Sequence, residues 1–223
     1  MAAWSPVPAR SAAALVAASG DDIAALRDAA RACRACPLWQ LGRQTVFGEG
    51  PDDARIVLVG EQPGDVEDSR GRPFVGPAGR LLDRALTQAG IDRAQTYLTN
   101  AVKHFKWEPR GKRRIHKTPA QKEIDACNQW LQAEIALVKP ALVVCLGVTA
   151  GRALLGHAIR IGVLRGELHE APAHPGMRVA LTYHPAFVLR QRDAERFAVA
   201  YAELVEDLRA AVRMLHLSER KPS

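Results

Sequence analysis

Side chains that could build a substrate site are concentrated in one glycine- and proline-rich segment. Glu61 and Gln62 stand in Gly60-Glu61-Gln62-Pro63-Gly64-Asp65, and Phe74 follows in Gly71-Arg72-Pro73-Phe74-Val75-Gly76. The segment lacks the G-x-x-x-x-G-K-[ST] pattern, so it is not a phosphate-binding loop of that type. A carboxylate, an amide and an aromatic ring this close in sequence instead indicate a substrate-binding loop.

Two further polar residues, Asn100 and His184, follow short apolar stretches of the chain. Asn100 begins Asn100-Ala101-Val102-Lys103, and His184 stands in Tyr183-His184-Pro185. Because parallel strands direct their carboxyl ends to one edge of a sheet, side chains that follow such strands lie close together. We therefore expect Glu61, Asn100 and His184 to share one site.

The elements that position these residues are predicted from apolar runs that alternate with helical patterns. The predicted strands are Arg55–Val59, Thr96–Thr99, Ala141–Leu146 and Val179–Tyr183. The predicted helices are Asp22–Cys36, Pro77–Ala89, Pro119–Val138, Thr149–Leu155 and Ala194–Leu215. This alternation predicts an α/β fold, a three-layer α/β/α sandwich with a central, mainly parallel four-stranded sheet.

The length of 223 residues suits one well-packed domain, which we place at residues 21–216. Residues 1–20 are predicted to be a flexible extension, although the Ala-rich run at residues 12–18 also weakly resembles a signal-peptide core. Residues 217–223 are predicted to be a polar tail. No apolar run approaches the roughly 20 residues that cross a bilayer, so we expect no membrane contact.

Positive charge is concentrated between Lys103 and Lys117. This segment holds seven basic residues and one acidic residue, so it carries a net charge of +6 out of +7 for the whole chain. Such a run is typical of a surface that binds a polyanion, but a solvated loop without a partner has the same composition. Charge alone leaves both interpretations open.

The four cysteines form one close pair and two distant residues. Cys33 and Cys36 have C-x-x-C spacing, Cys127 lies in a predicted helix, and Cys145 lies at the end of a predicted strand. Four thiolates can bind zinc or a [4Fe–4S] cluster, and the residue types do not distinguish these ligands. Cys127 and Cys145 also fit apolar patterns in which a free cysteine is an ordinary core residue.

Five motifs taken together resemble the iron–sulfur uracil-DNA glycosylases. In chain order they are C-x-x-C, G-E-Q-P-G-D, G-R-P-F-V-G-P-A-G, T-N-A-V-K and H-P, and the resemblance extends from about Cys33 to Arg213. The insertion Gly111-Lys112-Arg113-Arg114-Ile115-His116-Lys117 resembles the K-R-R-I-H hallmark of the UdgX group within that family. The resemblance favours a [4Fe–4S] cluster held by Cys33, Cys36, Cys127 and Cys145.

The resemblance also implies a role for each residue of the predicted site. Phe74 would stack on a uracil flipped out of the DNA, and Asn100, with Gln62, would bind the base. His184 would stabilise the departing uracil anion. Ala186 stands where the family often has Ser, so a hydroxyl contact to phosphate is absent there, and Leu189 or Arg190 would fill the vacated position in the duplex.

His116 distinguishes this chain from ordinary members of the family. An imidazole held beside C1′ can capture the sugar before water does, because its effective concentration is high, and Glu61 would accept a hydrogen bond from one of its ring nitrogens. The sequence thus predicts uracil excision that ends in a covalent protein–DNA adduct at C1′ through His116. The alternatives are a multiple-turnover hydrolytic glycosylase and a non-catalytic iron–sulfur DNA-binding module.

The expected partner is uracil-containing DNA, with single-stranded DNA accepted. Five basic residues are the candidates for DNA contact: Lys112, Arg113, Arg114, Lys117 and Arg190. We expect a monomer located in the cytoplasm and associated with a bacterial nucleoid.

Overall fold

The computed structural model describes residues 11–219, and the side chains of residues 11–216. The strands are β1 (Ile56–Gly60), β2 (Thr96–Asn100), β3 (Trp107–Arg110), β4 (Arg113–His116), β5 (Leu142–Leu146), β6 (Leu168–Ala171) and β7 (His174–Thr182). The helices are α1 (Ala12–Ser19), α2 (Ile23–Ala30), α3 (Asp65–Arg70), α4 (Pro77–Ala89), α5 (Gln121–Val138), α6 (Val148–Leu155), α7 (Ile161–Leu164), α8 (Pro185–Leu189) and α9 (Ala194–Glu219).

A five-stranded sheet in the order β2-β1-β5-β7-β6 forms the centre of the fold. The first four of these strands are parallel, and β6 joins β7 in the antiparallel direction at the edge. The predicted α/β class with a mainly parallel sheet is confirmed, but the sheet has five strands where the sequence predicted four. The edge strand was missed because Leu168–Ala171 contains His169 and Glu170, so it lacks the apolar run of a buried strand.

Side chains of the parallel strands alternate between two apolar layers. Val57, Val143 and Leu181 pack with helices α1, α2, α5 and α6 on one face, whereas Leu58 and Val144 pack with α4 and α9 on the other. Successive residues of a strand point to opposite faces, so a continuous apolar run is needed when both faces are covered. This arrangement leaves the carboxyl ends of the strands as one polar edge.

Two predicted segments at the N-terminal side differ from the structure. The part of the predicted extension from Ala12 to Ser19 forms helix α1, in which Ala12 and Leu15 are buried against the core. The predicted polar tail begins within a helix, because α9 continues to Glu219; residues 220–223 of that tail and residues 1–10 of the predicted extension lie outside the described residues. Helix α2 ends at Ala30 and not at Cys36, so the C-x-x-C pair lies in a turn region followed by a 3₁₀ turn at Pro37–Gln40.

A separate hairpin replaces the loop predicted between β2 and α5. Strands β3 and β4 pair only with each other, with Trp107 opposite His116 and Arg110 opposite Arg113. Gly111 supports the tight turn because its φ of 60° is accessible to glycine without steric cost. The basic segment is therefore an ordered two-stranded arm.

None of the helices in the described part of the chain combines the length and the apolar character needed to cross a bilayer.

Candidate functional site

The loops that follow β1 and β2 are bonded to each other at the polar edge of the sheet. The Ala101 amide donates to the Gly60 carbonyl at 2.9 Å, and the Val102 amide donates to the Glu61 carbonyl at 3.0 Å. These bonds fix Glu61 relative to Asn100. A cavity of about 820 Å³ opens here, and its walls include Glu61, Gln62, Phe74, Asn100, His116, His184 and Arg190.

Phe74 and Asn100 form the buried end of this cavity. They are only 6% and 3% exposed, and the Phe74 ring stacks near His184 with a centroid separation of 6.3 Å. A Cβ on Gly60 would overlap the Asn100 side-chain oxygen and the Phe74 ring, so the first glycine of the G-E-Q-P-G-D motif makes room for both. Phe74 adopts a left-handed backbone with φ of 53°, a conformation that costs about 1–3 kcal/mol and is maintained by its surroundings.

His184 is held in one orientation by the first turn of α8. Its Nδ1 accepts from the Ala186 amide at 3.0 Å, so the proton of the neutral ring lies on Nε2. Burial, with smaller contributions from His116 and Arg190, lowers the pKa of His184 to about 4. The ring is therefore neutral at pH 7 and offers one N–H donor to the cavity.

Glu61 joins His116 to the body of the protein. Thr149, at the start of α6, donates its hydroxyl to Glu61 Oε2 at 2.5 Å, and Glu61 Oε1 lies 3.4 Å from His116 Nε2. Burial lowers the pKa of His116 and the Glu61 carboxylate opposes that shift. A neutral imidazole beside a carboxylate can act as a nucleophile, because the carboxylate accepts the proton from the opposite ring nitrogen.

Arg114 anchors the hairpin through its guanidinium. This group pairs with Asp65 and, at 2.5 Å, with Asp68, whose side chain is fully buried. It also lies over the rings of Phe105 and Trp107, at 5.3 and 5.5 Å from their centroids. Arg114 is thus a structural cation that holds β4 against α3.

Gln62 fastens the base of the same hairpin. Its Oε1 accepts from the Lys106 amide at 3.0 Å, and its Nε2 donates to the carbonyls of Lys106 and Lys117 at 3.1 Å each. Gln62 lines the cavity as predicted, but its side-chain amide is occupied by these three bonds. The side chain positions His116 through the hairpin, which the sequence did not predict.

The predicted basic surface is smaller than its composition indicated. Lys103 is 1% exposed and its ammonium pairs with the buried Glu134 carboxylate at 2.5 Å, and Lys106 pairs with Glu123 at 2.8 Å. Lys117 pairs with Glu108 at 3.1 Å. Within the described residues of this segment, the exposed cations are Arg110, Lys112 and Arg113 around the hairpin turn and Lys117, whose partner Glu108 is itself exposed; Arg190 is exposed at the cavity.

Three of the four cysteines lie around a second, small cavity on the opposite face of the sheet from α4 and α9. Cys33, Cys36 and Cys127 line it together with His104 and Trp130. The Trp130 indole N–H donates to Cys33 Sγ at 3.3 Å. Burial raises the pKa of the Cys127 thiol, whereas the Lys103 charge and the bond from the Lys103 amide to Cys127 Sγ at 3.2 Å lower it.

Cys145 is separate from this cavity lining. It is fully buried on β5 among apolar side chains, and burial raises the pKa of its thiol. Within residues 11–216, no group of three or more His, Cys, Asp or Glu side chains has the arrangement of a metal site. Thiol side chains suit a thiolate-bound metal or cluster. Three of the four predicted ligands, Cys33, Cys36 and Cys127, line the same cavity, and Cys145 does not.

Asp65, Asp68 and Thr149 are the site residues that the sequence analysis missed. The signal for the two aspartates was their i, i+3 spacing directly after Gly64, which places both carboxylates on one side of a short helix. Thr149 had no signal beyond its place after the β5 strand end. Its contact with Glu61 joins two residues that are 88 positions apart along the chain.

Comparison with known proteins gives a consistent result. Residues 47–209 match the family model described as the uracil DNA glycosylase superfamily. A type-4 uracil-DNA glycosylase of Thermotoga maritima is 41% identical over 164 residues, which cover 73% of this chain and 81% of the relative. A type-4 uracil-DNA glycosylase of Pyrobaculum aerophilum is 35% identical over 175 residues, covering 76% and 86%. One from Saccharolobus solfataricus is 34% identical, covering 76% and 78%.

Proposed function

Because this chain belongs to the uracil DNA glycosylase superfamily, we propose that it excises uracil from DNA and then retains the DNA covalently at C1′ through His116. Uracil-DNA glycosylase activity follows from the family and its type-4 relatives. The covalent step is our extension. The observation that supports it is His116 Nε2 lying 3.4 Å from Glu61 at the mouth of the base cavity.

Base selection is assigned to the buried end of the cavity. The Phe74 ring provides a flat apolar face, which accepts any base by stacking. Asn100 provides a carbonyl that accepts from uracil N3–H and an amide that donates to O4, and cytosine presents the opposite pattern of donor and acceptor. The main chain of Asn100 is held in place because its carbonyl accepts from the buried Lys103 ammonium at 2.8 Å.

His184 assists cleavage of the bond between C1′ and uracil N1. The electron pair of that bond leaves with the base, so negative charge develops on the uracil oxygens. The N–H of the neutral His184 ring donates to that charge. The carboxylate of Glu61 supports the positive charge that develops on the sugar at the same time.

His116 then competes with water for C1′. An unprotonated ring nitrogen attacks C1′ and forms a C–N bond, and the proton on the other ring nitrogen passes to the Glu61 carboxylate. Imidazole attached in this way has no easy route of departure, so one protein molecule reacts once. The competing function is hydrolysis with repeated turnover, which is favoured by the 46% exposure of the His116 side chain to water.

The family resemblance implies a [4Fe–4S] cluster, and we assign its four ligands to Cys33, Cys36, Cys127 and Cys145. The shared cavity of the first three and the N–H groups aimed at Cys33 and Cys127 support thiolate ligation. Bound there, the cluster would cross-link the turn after α2 to α5.

Purification without air should give a brown protein containing iron and sulfide, and Cys145→Ser should lose both. Stoichiometric zinc without iron, or full iron in Cys145→Ser, would contradict the assignment.

A denaturing gel with a uracil-containing single-stranded oligonucleotide tests the covalent step. We expect a DNA adduct stable to heat and detergent, with released uracil equal to protein in molar amount. His116→Ser should abolish the adduct and release uracil repeatedly, because water replaces the imidazole at C1′. His157→Ser, which changes an exposed histidine outside the cavity, is the matched control. An adduct in His116→Ser, or turnover by the parent, would contradict the proposal.

A further inference from the structure

The cavity extends well beyond the base-binding end formed by Phe74 and Asn100. Its lining also includes four apolar and aromatic residues and one cation, which we call the second wall: Val148, Ile161, Tyr183, Phe187 and Arg190. A volume of about 820 Å³ suits a drug-sized molecule and is not filled by one six-membered ring. The second wall therefore faces a part of the substrate other than the excised base.

Phe187 presents an aromatic surface on this wall. Its ring stacks on Tyr183 with centroids 4.9 Å apart and an angle of 21° between the planes, and it remains 38% exposed. The Arg165 guanidinium lies 5.1 Å from the Tyr183 ring centroid, and Arg165 is in turn paired with Asp207 at 2.9 Å. An exposed ring supported in this way is a fixed platform, so stacking on it costs little side-chain entropy.

The molecule that occupies the second wall follows from the fact that neighbouring nucleotides in DNA are covalently joined. A uracil at Phe74 is joined through one phosphodiester to the nucleotide on either side, so at least one neighbour lies at the mouth where Phe187 and Arg190 stand. Arg190 is exposed on the same wall and supplies a positive charge suited to a phosphate. Aromatic rings next to a cation are the usual means of binding single-stranded nucleic acid without reading its sequence.

We propose that the Tyr183–Phe187 pair is a second base-binding subsite, in which Phe187 stacks on the base of a nucleotide adjacent to the uracil while Arg190 contacts its phosphate. The subsite rests on the proposed base pocket at Phe74 and Asn100 and is independent of the covalent step at His116. Stacking on an aromatic ring does not depend on the identity of the base, so the subsite accepts any neighbouring base. Each productive complex therefore engages at least two nucleotides.

Binding of short oligonucleotides with and without neighbouring bases tests this subsite. The probe carries a 2′-fluorinated uridine analogue that resists cleavage, and its neighbour on either side is a normal nucleotide or a tetrahydrofuran abasic residue. For the parent protein, removal of the base at one of the two positions should weaken binding about 5- to 100-fold. Phe187→Ala should weaken binding to the intact probe by the same factor and abolish the response to base removal.

Two further variants separate stacking from structural damage. Phe187→Trp keeps a stacking ring and should keep the response, whereas Val199→Ala, which trims an exposed apolar residue of α9 outside the cavity, should change neither quantity. Indifference of the parent to both neighbouring bases would overturn the subsite. So would a Phe187→Ala loss of equal size on intact and abasic probes. Failure of the parent to form an adduct would contradict the proposed function at His116 but would leave this comparison of bases unaffected.

Discussion

The base-binding end of the cavity and the hairpin that carries His116 are built in different ways. Asn100 and Phe74 are nearly inaccessible and lie at the end of a parallel sheet that is covered on both faces. The His116 side chain is 46% exposed, and its strand pairs only with the other strand of the hairpin. One region is part of the core, and the other is an attachment to it.

Under the proposed function, this difference separates two roles within one cavity, the reading of the base and the capture of C1′. A residue that reads a base must not move, so it lies where close packing restricts it. The hairpin instead depends on a few anchoring groups, mainly Arg114 and Gln62. We therefore expect substitutions in the core region to change uracil selection and substitutions at the hairpin anchors to change capture of C1′.

The largest effect is expected from Arg114→Met. Removal of one partner from a buried ion pair costs about 3–5 kcal/mol, and here it leaves the fully buried Asp68 without its cation. We expect the hairpin to detach and adduct formation to slow by about 100-fold or more, while binding of an uncleavable uracil probe stays near that of the parent. Rates of adduct formation from quenched time courses measure this effect.

Arg113→Met is the matched control for that experiment. It removes the same charge from the neighbouring position of β4, where the side chain is exposed and does not share the ion pairs of Arg114 with Asp65 and Asp68. Equal rates for the two variants would show that the ion pairs of Arg114 do not position His116.

A smaller effect is expected from Asn100→Ala and Phe74→Ala. Each should reduce the preference for uracil-containing over undamaged DNA by about 1–3 kcal/mol, because one removes the reading of the base edge and the other removes a stacked ring. Affinity for undamaged DNA should stay nearly constant. Competition binding with uracil-containing and undamaged oligonucleotides measures the ratio. A preference equal to that of the parent in either variant would place the base elsewhere.

The smallest effect is expected from removing the two exposed charges of the hairpin turn, Lys112 and Arg113. The log–log slope of affinity against salt concentration should fall by about one unit for each phosphate that the protein no longer neutralises, with the adduct still formed at low salt. Lys139→Asn is the control, because it removes a charge before β5, at the opposite edge of the sheet, and asparagine tolerates the left-handed backbone there. An unchanged slope in the double variant would mean that this turn does not meet DNA.

Several features of the fold could be predicted because they depend on local chemistry. Apolar runs predicted the four parallel strands, since a strand covered on both faces must be apolar throughout. Strand β6 and helix α3 could not be predicted in this way. Both are short and polar; β6 is held by its pairing with β7, and α3 is tied to the hairpin by the ion pairs of Asp65 and Asp68 with Arg114.

The residues of the candidate site likewise differ in whether a local sequence pattern could predict their positions. Glu61, Asn100 and His184 were predicted to meet because parallel strands bring their carboxyl ends to one edge, and all three line one cavity. Which of the basic residues are enclosed in ion pairs and which stay exposed was not predictable. Lys103 and Arg114 have the same charge as Lys112 and Arg113 in the sequence, yet the first two are enclosed by Glu134 and by Asp65 with Asp68.

The sequence alone determined which chemical groups this protein has and at which strand ends they stand. Residue type and local periodicity depend on the nearest neighbours along the chain, and those are visible in the sequence. Only the tertiary structure decided that Glu134 and Asp68 enclose two of the cations, that Thr149 holds Glu61, and that Gln62 holds the hairpin. Each of these pairs is separated by more than 30 positions along the chain, and such pairings are set by how the layers pack rather than by any local pattern.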